Sequence, residues 1–186
     1  FFSVALLLLK QKVNGFLLLL SAAAGLVYMY AMSALYANTL FNLWGGLFTY
    51  AGFFGTVLLT GGMIAGLLLV TALGFAREDV LIQRVVKISL AAGVAGLLLM
   101  LLGALSLLGN IGEPIYAGMT PRTMPEGLLN LNIIRVVLIG LGMFFAGRLL
   151  CQKNAQITNG TLMMALAAIC VFAGEAVGRV VFFSLG

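Results

Sequence analysis

Histidine is absent from this sequence of 186 residues, and cysteine occurs only at Cys151 and Cys170. Zinc, iron–sulfur and haem sites are built from clustered Cys or His. The residues present therefore offer no ligand set for a bis-histidine haem, a cluster or another metal centre. No CxxC occurs, and about one span's reach separates the two cysteines, so no disulfide between them is expected. Proline is confined to Pro114, Pro121 and Pro125, within one connecting stretch, and interrupts none of the apolar runs. Charge is scarce as well: 8% of residues are Asp, Glu, Lys or Arg, against 63% hydrophobic and a mean hydropathy of +1.19. Long apolar runs with so little charge exclude an ordinary soluble domain and imply membrane spans.

The excess of basic residues (10 against 5 acidic) gives a pI near 9.6. Nucleic acid is not the implied partner, because most of these residues sit in short loops beside apolar runs, as membrane topology requires. The expected fold is an all-α, polytopic transmembrane helical bundle, one membrane domain over residues 1–186. Five full spans are expected at about 14–36, 47–74, 88–108, 128–150 and 161–185, each long enough at 1.5 Å rise per residue. The opening Phe1-Phe-Ser-Val-Ala-Leu-Leu-Leu-Leu-Lys10 reads as the end of a further, partial span. No initiator Met or signal-peptide pattern precedes it, so the chain is expected to be the C-terminal part of something longer.

Seven of the ten basic residues fall in alternate loops: Lys10 and Lys12; Arg77, Arg84 and Lys87; Arg148 and Lys153. The opposite loops hold only Arg122. The positive-inside rule puts the first set in the cytoplasm, with the Trp44 loop, the proline loop (109–127) and the C-terminus outside. Trp44 and Tyr28, Tyr30 and Tyr36 fit an interfacial belt. The proline loop, with Glu113 and Arg122, is long for a helix connection; it reads as a solvated tether or a docking surface. Gly62 and Gly66 form a GxxxG spacing, which favours close helix approach.

Three ionisable residues remain inside spans. Glu175 and Arg179 are one helical turn apart and share a face. Arg135 lies in the preceding span. Counted from the outer ends, all three sit roughly 9–15 Å deep at helical rise, a coincidence that random placement would rarely give. A charge near the bilayer centre costs at least about 2.5–3.5 kcal/mol, so such residues should face protein or water. Gly174 and Gly178 would bring the neighbouring helix close to them. One carboxylate with two guanidiniums suits a structural ion-pair network. It equally suits a quinol site, where the carboxylate accepts a hydroxyl proton and Arg stabilises the resulting anion. A third reading is a proton-coupled anion transporter. Spacing alone does not choose, although no internal repeat and no proline-broken span supports the transporter.

The stretch Ala173-Gly-Glu-Ala-Val-Gly-Arg179-Val-Val-Phe-Phe183 resembles the closing motif of the membrane anchor subunits of the dimethyl sulfoxide reductase family, Ala-Gly-Glu-x-x-Gly-Arg-x-x-Phe-[Tyr/Phe]. Leu131-Asn-Ile-Ile-Arg135-Val-Val-Leu is similar to the family's preceding span, and Leu26 to Tyr36 followed by Trp44 to a middle span and its outer loop. The resemblance implies an eight-span anchor, here without its first three spans. It also implies a bacterial inner-membrane location and binding of menaquinol, with no haem or metal in this chain. Electrons would pass to an iron–sulfur subunit and on to a molybdopterin catalytic subunit in anaerobic respiration. Glu175 would be proton acceptor or ionic partner, Arg135 and Arg179 its companions at the quinol, and Trp44, Glu113 and Arg122 the docking surface. A His tied to quinol handling in the family's early spans has no counterpart here. The remaining alternatives are a secondary transporter fragment and a purely structural assembly subunit.

Overall fold

The computed structural model describes residues 15–38, 44, 46–76, 79–110, 126–151 and 157–184. They form five helices: α1 (Gly15–Ala37), α2 (Gly46–Ala76), α3 (Asp79–Asn110), α4 (Leu128–Cys151) and α5 (Ile157–Ser184). Each contains a stretch of at least 23 residues long and apolar enough to cross a membrane, and no strand occurs among the described residues. The five expected full spans are thus present. α3 differs in its start, which lies nine residues before the expected Ile88. Arg84 and Lys87 ride on this extension as exposed side chains. Charged residues beside a span need only leave the apolar layer; they need not leave the helix. Lys10, Lys12, Arg77, Lys153 and the partial first span lie outside the residues whose side chains are described.

The helices are apolar nearly all round, and on α2, α3 and α5 the inner face is marked by a narrow seam with helical spacing. On α2 the buried residues include Leu59, Met63, Gly66 and Val70; on α3, Val86, Ser89, Gly93 and Gly96; on α5, Met164, Ala167, Val171 and Gly174. These steps of three and four residues are one helix face. Large apolar side chains on the opposite faces remain uncovered, such as Leu129 at 72% and Phe172 at 64% exposure. In a bilayer they would meet acyl chains at no penalty, so burial does not need to reach all sides.

Glycine brings the inner faces together. A Cβ built on Gly96 would stand 2.6 Å from the carbonyl oxygen of Gly55, so α3 lies almost on the backbone of α2. Gly62 of the expected GxxxG pair approaches Ala92 and the Ser89 carbonyl, and Gly66 approaches Ser89 and Met164. On the other side, a Cβ on Gly142 of α4 would be 2.8 Å from the Ala167 oxygen of α5. α2 packs against both α3 and α5, α5 against α4, and α1 against α2.

The buried side chains fall into two groups. One, around Leu59, Met63, Val86, Met164 and Val171, fills the middle and the end nearer Arg148. The other, Trp44, Phe53, Leu107, Leu128, Val181 and Phe182, closes the opposite end. The ionisable residues stand between them.

Candidate functional site

Glu175 lies on the buried seam of α5, one step beyond Val171 and Gly174, and is 4% exposed. Its Oε1 accepts from Nη2 of Arg135 on α4 at 3.0 Å. Its Oε2 accepts from the Thr56 hydroxyl of α2 at 2.6 Å. Three helices thus meet on one carboxylate. Nη2 of Arg135 also stands 3.3 Å from the sulfur of Met100 on α3.

Gly178 makes this geometry possible. A Cβ there would be 2.5 Å from Nε and 2.7 Å from Cζ of Arg135. The guanidinium therefore lies in a groove that exists because α5 has no side chain at this turn. Its Nε is buried, with no hydrogen-bond partner among the described residues.

Arg179 follows a different course. No ion pair within 4.0 Å joins it to Glu175 among the described residues. Its guanidinium carbon sits 4.3 Å from the centre of the Phe53 ring on α2, within the range of a cation–π contact. The one-turn spacing permitted a Glu175–Arg179 pair, but the carboxylate is taken up by Arg135 and Thr56 and the second cation by the aromatic face. The cluster carries two guanidiniums and one carboxylate, a surplus of positive charge if all three are ionised.

All three ionisable residues line one cavity of about 220 Å³. Its walls include Phe53 and Thr56 of α2, Met100 and Leu107 of α3, Leu128 of α4 and Phe182 of α5. Pockets that enclose drug-sized ligands run to roughly 300–1,000 Å³. The space here suits a ring system rather than a whole lipid. Asn132 also lines it, while its amide donates to the Leu128 carbonyl at 3.2 Å.

Trp44, expected in the docking surface for a partner, is packed within this chain. Trp44 is 8% exposed, and its ring stacks on Phe182 at 5.2 Å with an interplanar angle of 3°. Its indole nitrogen donates to the Phe182 carbonyl at 2.9 Å. Phe182 belongs to the last turn of α5, whose carbonyls have no partner within the helix. Trp44 satisfies one of them while filling the core, and Tyr36 closes edge-on at 5.4 Å. Glu113 and Arg122 lie outside the described residues. Sequence reading missed Thr56, Phe53 and Met100. Thr56 is one of four threonines in α2, and local pattern does not single it out.

Among the described residues, no group of three or more Cys, Asp or Glu is arranged to hold a metal ion. The comparisons with known proteins agree with the membrane geometry. A family model described as "DMSO reductase anchor subunit (DmsC)" matches residues 1–185. The chain is similar to the "Anaerobic dimethyl sulfoxide reductase chain YnfH" of Escherichia coli (strain K12), with 28% identity over 178 residues. That alignment covers 95% of this chain and 58% of the relative, so the chain spans a little over half of the relative's length. No solved structure matches. On the match along almost its whole length, the chain belongs to the DMSO reductase anchor subunit family.

Proposed function

We propose that this chain is part of a quinol-oxidising membrane anchor of a dimethyl sulfoxide reductase-type complex. The observation that carries the reading is the single cavity shared by Arg135, Glu175 and Arg179 beside the aromatic and aliphatic walls of α2 and α3. A quinol head group needs an apolar slot, an acceptor for its hydroxyl proton and a cation to stabilise the anion left behind. Menaquinol supplies two electrons and two protons per molecule. The electrons go to an iron–sulfur centre of a partner subunit and onward to a molybdopterin catalytic subunit. Glu175 takes the protons one at a time and returns each to water. Arg179, held over Phe53 without a carboxylate, faces the developing anion.

The site lies toward the end of the bundle that carries Trp44 and Phe182. Arg84 and Lys87 near the start of α3 and Arg148 near the end of α4 stand toward the other end; with the remaining basic residues in the same alternate loops of the sequence, the positive-inside rule favours a site in the outer half of a bacterial inner membrane and a periplasmic C-terminus. A reporter fused after Gly186 that is active only outside the cytoplasm is expected to be active; silence would reverse the topology.

A structural reading rests on a specific observation of its own: the Arg135–Glu175 pair ties α4 to α5. Glu175→Gln separates the two. It keeps shape and polarity but removes the proton acceptor. The expected result in membranes is an intact complex whose quinol-driven reduction falls about a hundredfold, the usual size of a general-base contribution. Dissociation of the complex with normal turnover in the surviving fraction would favour the structural role.

A further inference from the structure

Thr56 has one hydroxyl proton and two acceptors within reach. Oγ1 is 2.6 Å from Oε2 of Glu175 and 2.9 Å from the carbonyl oxygen of Gly52, one turn back on its own helix. The bond to the preceding turn is what threonine makes by default inside a helix; Thr60 and Thr71 make it to Thr56 and Leu67. The short bond to Oε2 has the length of a hydroxyl donating to an ionised carboxylate. A hydroxyl cannot serve both acceptors fully, because it has only one hydrogen. A purely structural carboxylate is better held by permanent donors.

We propose that the Thr56 hydroxyl is a hydrogen-bond switch that lets Glu175 be either charged or neutral within the membrane, so that Thr56 is a positioning residue for proton uptake at Oε2. With Glu175 ionised, Thr56 donates to Oε2. When a quinol hydroxyl passes its proton to Oε2, the polarity reverses. Oε2–H donates to Oγ1, and the Thr56 hydroxyl turns to the Gly52 carbonyl. Oε1 accepts from Arg135 throughout. Neither state leaves the hydroxyl hydrogen of Thr56 or the carboxyl hydrogen of Glu175 without an acceptor, which would cost as much as a lost bond. Release of the proton to water resets the pair. Two rounds carry the two protons of one quinol, while its two electrons leave for the partner's iron–sulfur centre.

Among the described residues, the charged groups that share the cavity with Glu175 are Arg135 from α4 and Arg179 from α5. Tyr36 of α1 stacks on Phe53, the ring under the Arg179 guanidinium. α2 and α3 present Thr56 and Met100, which do not titrate in the working range.

This inference rests on the quinol reading for its role but not for its chemistry, and the test separates the two. The carboxyl vibration of Glu175, identified by its loss in Glu175→Gln, is followed in the purified complex against pH without quinol. Quinol-driven turnover against pH is measured in parallel. In the unaltered complex, acidification is expected to produce a neutral carboxyl band at a hydrogen-bonded frequency. Thr56→Val, which keeps the shape and removes the hydroxyl, is expected to move that band to a non-bonded frequency. Turnover should fall about tenfold or more, the worth of one bond to a charged group, with a changed pH profile. Thr56→Ser is expected to restore both. A band that is absent at every pH, or unmoved by Thr56→Val, overturns the switch. A band that moves while neither Thr56 nor Glu175 variants affect turnover upholds the switch and overturns the quinol reading.

Discussion

Arg135→Met is expected to destabilise the folded chain by about 3–5 kcal/mol, the penalty for stripping one partner from a buried ion pair. Methionine has comparable length and packs readily, so the loss isolates charge from volume. Glu175 would keep its Thr56 bond but lose the cation at Oε1, while remaining 4% exposed. Arg179 shares the cavity, but taking over would require it to leave the face of Phe53. The control is the double change Arg135→Met with Glu175→Leu. Removing both charges from an apolar setting is often neutral, so most of the lost stability should return. Unfolding in detergent micelles, run as a double-mutant cycle, measures the coupling. A loss in the double variant equal to the sum of the two single losses would mean that the two side chains do not act as a pair.

Gly178→Val is expected to cost about 3 kcal/mol or more, combining overpacking with displacement of a buried charge. The Cβ of the new side chain would stand 2.5 Å from Arg135 Nε. An arginine end is flexible, so the strain is relieved by moving the guanidinium rather than the helix. Its movement breaks the 3.0 Å contact with Glu175. Gly147→Val on α4 is the matched control, because a Cβ there meets nothing within 4 Å. It should change stability by less than about 1 kcal/mol, since valine is at least as good as glycine in a helix. The same unfolding measurement reads both variants. Equal effects would mean that Gly178 serves helix packing in general and not the arginine. On the proposed function, quinol-driven turnover falls with Gly178→Val and not with Gly147→Val.

The two expectations meet on one feature, an arginine that reaches across a helix through a gap left by glycine. Its neighbour Gly174 has the same kind of contact, with the carbonyl oxygen of Arg135 3.1 Å from a built Cβ. The pair Gly174 and Gly178 therefore has two uses: the first lets the backbones of α4 and α5 approach, and the second leaves room for a side chain. Only the first use is implied by a small-residue spacing.

The sequence by itself determined that this is a bundle of membrane helices. The lengths of its apolar runs correspond to the bilayer thickness, and each run satisfies its own backbone only as a helix. It also determined that Arg135, Glu175 and Arg179 share one level, because depth follows from counting residues along helices of fixed rise. These properties are local, so they are legible along the chain. Tertiary structure alone decided which charges pair. Glu175 had Arg179 one turn away, yet it bonds to Arg135, 40 positions earlier, and to Thr56, 119 positions earlier. It also decided that Trp44 is a core residue capping α5 rather than an exposed contact. The reason is the same in each case. A polar group within an apolar layer takes the partner that adjoining helices bring to it, and the choice of adjoining helix depends on contacts between seams far apart in the chain.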